Sequence, residues 1–216
     1  AYHTAWLKAH HPAEFYAASM SYDMNLTDKL GLFVEDARRA GVPVLGPAIN
    51  HAMAEFDVQP DAEGTLSVRY ALGALKGVGE KAMEQLTAER DANGPYESLD
   101  DFANRVDPKL LNRRQIEALA AAGSFDELEP DRPRVHAAAE TLLKHAQSAA
   151  GERESGQGGL FGGEQVADIA AIRLPQADWT LAEKMTAERD AFGFYFASHP
   201  VEAQRHVLGA HNPKTY

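Results

Sequence analysis

Apolar residues recur every third or fourth position through most of this chain, which predicts a mainly helical protein. In the first 40 residues, Trp6 and Leu7, then Phe15, Tyr16, Ala17, Ala18 and Met20, would line one apolar face, and Pro12 suits the first turn of a second helix. Leu30, Phe33, Val34 and Ala37 repeat at i, i+3, i+4 and i+7 behind Thr27 or Asp28 as cap, and Gly41 ends that helix. The period then shortens. Val42 to Leu45 reads as a short extended run, while Phe56–Val58 and Leu66–Tyr70 alternate around the turn-rich Pro60–Gly64, which predicts a small β-hairpin.

The stretch Leu72-Gly73-Ala74-Leu75-Lys76-Gly77-Val78-Gly79-Glu80-Lys81 reads as a helix-hairpin-helix. Leu72, Leu75 and Val78 keep helical spacing, two glycines bracket Val78, and a second amphipathic run continues to about Asp91. Glycines permit a sharp bend and close approach of backbone to another molecule. The amides opening the second helix have no intrahelical partner and carry the positive end of its dipole, so they suit a phosphate. Asn93-Gly94-Pro95 breaks the chain, and Ser98 with Asp101 opens another helix with Leu99, Phe102 and Val106 inward. Asp107-Pro108 stops it, and Asn112 caps a helix carrying Ile116, Leu119 and Ala120 that closes at Gly123. Asp131 to Ala150 is expected as one helix, contributing Leu142 and Leu143. The segment GERESGQGGLFGG, Gly151 to Gly163, has too little apolar content for a core and reads as a flexible linker, and Thr180 to Phe196 is expected as a last helix. No fixed-period repeat is present, although the helical pairs 72–90 and 98–122 resemble a degenerate duplication.

Composition narrows the classes. The 216 residues carry no cysteine, so disulfide and thiolate chemistry are excluded, in keeping with a cytoplasmic location. No apolar run is long enough for a membrane span and no secretory signal opens the chain, while the missing initiating methionine suggests a piece of something longer. The net charge of −11 opposes nucleic-acid binding, but Arg69 to Arg114 holds eight basic and eight acidic residues, so the excess acid lies elsewhere.

Lys76, Gly77, Val78, Gly79 and Lys81 are the first candidate phosphate contacts. Lys109, Arg113 and Arg114 cluster at a second turn that lacks the Gly-x-Gly signature; they fit either phosphate contacts or the solvated basic end of a helix pair. Gln157, Leu160 and Phe161 place an apolar pair in a polar linker, suited to a partner's pocket or to folding back on a nearby domain. His3, His10, His11 and His51 lack metal-ligand spacing, and Asp100-Asp101 fits a helix's first turn; no catalytic or metal constellation is expected here.

Taken in order, several motifs resemble the bacterial DNA polymerase III alpha subunit family, the C-family replicative polymerases. They are Tyr2–His10 with Pro12–Phe15, Leu45–Asn50, Gly73–Glu80, Leu111–Arg114, Ala122–Asp126, Glu188–Tyr195 and Ser198–Pro200. The resemblance implies the end of the fingers over 1–65, a tandem helix-hairpin-helix DNA-binding region over 66–150, a linker with a clamp-binding peptide over 151–164, and a helical approach to a truncated OB domain over 165–216. It implies nucleotidyl transfer with Mg2+ held by palm aspartates that precede this stretch, so the piece by itself would be inactive and without a cofactor. It further implies duplex primer–template DNA, the sliding clamp (at Gln157, Leu160 and Phe161) and other polymerase III holoenzyme subunits as partners, with no membrane. The family commonly has Asp at Ala48 and often Gly at Ser198, which removes any role of the first side chain. A non-catalytic hairpin module, the error-prone paralogous polymerase and a protein-interaction adaptor are the other readings.

Overall fold

The computed structural model describes residues 2–61, 63–155 and 171–197. Helices α1 (Tyr2–His10), α2 (Pro12–Tyr22) and α3 (Thr27–Arg39) open the chain, and a three-stranded sheet follows from β1 (Val44–Leu45), β2 (Asp57–Pro60) and β3 (Leu66–Arg69). The β2–β3 hairpin forms as expected, with Val58 opposite Val68. The extended run at Val44–Leu45 is a third strand, parallel to β3 in the order β1-β3-β2. The residue 65/66 boundary therefore falls inside one hydrogen-bonded sheet. Ser67 and Val68 of the central strand are fully buried, and α2 packs over β2 and β3 through Tyr16, Ala17 and Met20.

A single 3-10 turn, Leu72–Ala74, leads into α4 (Glu80–Asn93), then α5 (Leu99–Arg105), α6 (Arg113–Ala122), α7 (Arg132–Ala137), α8 (Ala139–Ser155) and α9 (Leu181–Phe192). Ser98 caps α5 and Asn112 caps α6, as the sequence predicts. One apolar cluster runs from Tyr16 and Leu30 through Tyr70 and Leu72 to Phe102, Phe125 and Phe192.

Five expectations need correction. The first limb of the hairpin is the 3-10 turn rather than an α-helix, although Leu72, Leu75 and Val78 are buried as their spacing requires. α3 starts after Leu26 with no side-chain cap. The helix expected over 131–150 is two, separated at Ala138, and the second runs to Ser155, past the expected start of the linker. α9 stops at Phe192 because residues 193–196 turn back: Phe192, Phe194 and Phe196 gather on Tyr70, and Phe192 stacks on Phe196 at 4.5 Å. α1 buries nothing, leaving Trp6 and Leu7 each 45% exposed, and Ala18 faces solvent. α1 is held instead by Lys8, which donates to Asp36 at 2.5 Å while Tyr16 donates to the same carboxylate at 2.8 Å; Lys8 first, then Tyr16, hold the Asp36 pKa down. Among the described residues no helix is long and apolar enough to cross a membrane.

Candidate nucleic-acid interface

Burial orients the first hairpin tip. Leu72, Leu75 and Val78 enter the core, while Lys76 and Gly77 between them are exposed. Gly77 at φ +74° and Gly79 at φ +88° take left-handed conformations that other residues reach only with strain, and no atom stands within 4 Å of a Cβ built on Gly77. Gly79 is also the N-cap of α4 and brings no side-chain oxygen, so the first-turn amides of Glu80, Lys81 and Ala82 are left for an external acceptor. Glu80 opposes such an acceptor; Lys76 and Lys81, both exposed, favour it. The Lys76 N–H is itself engaged, donating to Ala191 O of α9 at 2.8 Å.

The second tip uses different chemistry. Leu111 is its buried anchor, and Lys109 N donates to Asp107 Oδ1 at 2.9 Å within the turn. Asn112 and Gln115 form a reciprocal capping box: Asn112 Oδ1 accepts from Gln115 N, and Gln115 Oε1 accepts from Asn112 N at 2.7 Å. Part of the amide capacity is thereby used internally. Two arginines, Arg113 and Arg114, then open α6, whose first turn holds no acid. Cations at a helix N-terminus act against its dipole by a few tenths to about 1 kcal/mol, a cost that a bound anion reverses. Arg113 is partly neutralised at 2.7 Å from Glu117 and 3.7 Å from Glu140; the Glu117 hydrogen bond, chiefly, raises its pKa. Arg114 is exposed.

The two tips meet. Gln115 Nε2 donates to the Val78 carbonyl, and Lys76 and Arg114 line one groove of about 610 Å³ between α6 and α9. At the opposite end of α4, Arg105 of α5 grips Glu89 through Nε–Oε1 at 2.9 Å and Nη2–Oε2 at 3.1 Å, and reaches Gly94 O and Asp101. Burial by itself would raise the Glu89 pKa, but the Arg105 bonds reverse this and lower it. The structure thus gathers Lys76, Gly77, Val78 and Gly79 with Arg113 and Arg114 at one end of the helix pairs, with Lys81 and Lys109 exposed on their own limbs. Gln115 and the Ala191 carbonyl escaped the sequence reading. The Asn-x-x-Gln pattern signals the cap, but no local signal gives a bond across 37 residues. Gln157, Leu160 and Phe161 lie outside the described residues, as does Ser198. His11 and His51 stand beside Glu14 and Glu127, and no described group of three or more His, Asp or Glu side chains could hold a metal.

Residues 41–135 match the family model described as a helix-hairpin-helix motif. Over 201 residues, 93% of its length, the chain is 44% identical to the DNA polymerase III subunit alpha of Caulobacter vibrioides, of which it spans 17%. The chain is similar to an internal stretch of DNA polymerase III subunit alpha. The subunits of that name from Xylella fastidiosa (41% identity over 94% of this chain) and Escherichia coli K12 (36% over 96%) agree, and this chain spans 17% and 18% of their lengths.

Proposed function

We propose that this chain is a duplex-holding segment of a bacterial replicative DNA polymerase, binding primer–template backbone and the sliding clamp while nucleotidyl transfer takes place elsewhere in the longer polypeptide. The observation that carries the reading is the pairing of two hairpin tips: uncapped amides beside Gly77 and Gly79 face the same end as two arginines set against a helix dipole. Such groups bind phosphate without reading bases. Residues 1–65, with α1–α3, β1 and β2, would belong to the fingers, residues 66–150 to the hairpin region, whose first strand β3 completes the sheet, and α9 to the approach to an OB domain. Clamp binding is assigned to Gln157, Leu160 and Phe161 from their Gln-x-x-Leu-Phe pattern. The described residues do not fit the Mg2+ of the resemblance, which would sit on aspartates outside this stretch. Replacing Lys76, Lys81 and Arg113 together with alanine should weaken binding of a random-sequence duplex and flatten the plot of log affinity against log salt by about 0.9 per phosphate contact removed. Unchanged affinity at low salt would sink the hairpin assignment.

A further inference from the structure

Gln115 does two jobs with one amide. It occupies the third position of α6, where its Oε1 accepts from Asn112 N at 2.7 Å and closes the capping box. That bond fixes the amide plane, so Nε2 points away from α6. There it donates to the carbonyl of Val78, 37 residues earlier, whose own side chain is fully buried and holds its peptide in place. A Cβ built on Gly79 would stand 3.8 Å from the same nitrogen, so the amide lies directly against the glycine turn. The two partners also decide which atom is which: an N–H faces the oxygen and a C=O faces the nitrogen.

We propose that Gln115 is a positioning residue for duplex binding, locking the glycine turn of the first hairpin to the arginine-bearing turn of the second so that both meet phosphates at a fixed separation. The proposal rests on the duplex-holding reading above. Phosphates along a duplex are spaced by covalent geometry, and contact groups already set to that spacing bind without the entropy loss of ordering them. Arg105 and Glu89 join α4 to α5 at the far end of α4, and at the near end the Gln115–Val78 bond is the side-chain contact made directly from one glycine or arginine turn to the other.

The test compares Gln115→Leu with Asn112→Ala. Each removes one half of the capping box: Asn112→Ala loses the Asn112 Oδ1 acceptor and keeps the backbone N–H bond to Gln115 Oε1, and only Gln115→Leu removes the bond to Val78. The chain has no cysteine, so spin labels can be placed uniquely at Lys81→Cys and Arg114→Cys for distance measurement without DNA. The parent and Asn112→Ala should give one narrow distribution, and Gln115→Leu a broadened or two-component one. In unlabelled protein, duplex affinity should fall about three- to tenfold in Gln115→Leu relative to Asn112→Ala. A distance distribution unchanged by Gln115→Leu, or equal affinity losses in the two variants, would overturn the proposal. A parent that binds no duplex at low salt would overturn the duplex-holding reading and this role with it, whatever the labels report.

Discussion

The same chemical change, glycine to alanine, is expected to act with opposite sign at Gly73 and Gly46. Gly73 lies in the 3-10 turn beneath the start of α4, and its N–H donates to Ala54 O at 3.0 Å. A methyl group there would stand 2.6 Å from Ala54 O and 3.1 Å from Glu80 Cα, both backbone atoms that no rotamer change can move aside. Overpacking of this kind costs about 1–3 kcal/mol, and rigid neighbours with a disturbed hydrogen bond place Gly73→Ala toward about 2–3 kcal/mol. At roughly 2–4 °C per kcal/mol for a domain of this size, the melting temperature should fall by about 4–12 °C. Gly46 has no atom within 4 Å of its built Cβ and does not take a left-handed conformation. There alanine mainly restricts the unfolded chain, so Gly46→Ala should stabilise by about 0.4–1 kcal/mol. Urea unfolding followed by circular dichroism, with equal m-values confirming a common unfolded state, reads both changes. If Gly73→Ala falls within about 0.5 kcal/mol of the parent, the close approach of the turn to α4 is wrong.

Two further outcomes test other parts of the molecule. Leu160→Ala with Phe161→Ala should abolish capture by an immobilised sliding clamp and leave the unfolding midpoint unchanged, because burial of this pair supplies roughly 3–6 kcal/mol before ordering costs; retained capture would place the contact elsewhere. Glu89 has its pKa lowered on folding, with the Arg105 bonds outweighing burial, so its contribution is complete above the ordinary carboxylate value and is lost as pH falls through the lower folded value. Between about pH 6 and about pH 3 the parent should therefore lose stability faster than Glu89→Gln, and parallel curves would remove Glu89 from the acid response.

Local chemistry wrote much of this protein. Periodicity gave α2 to α6, alternation gave β2 and β3, and Ser98, Asn112 and Asp131 marked helix starts through their own side-chain oxygens. The glycine pair around Val78 announced the first hairpin tip, since left-handed backbone and an uncapped helix start both favour residues without a side chain. Where an apolar stripe looks the same whether it meets a core or not, the sequence could not decide. The Trp6–Leu7 stripe of α1 remains exposed, whereas Phe192, Phe194 and Phe196 bend back onto Tyr70 and end α9 early. The features of each tip on which the proposed phosphate contacts rest are thus local, set by glycine, cap and charge within a few residues. Their juxtaposition is tertiary. A single side-chain amide joining positions 78 and 115 and a β-strand pairing positions 44 and 68 depend on surfaces that exist only after the chain has packed.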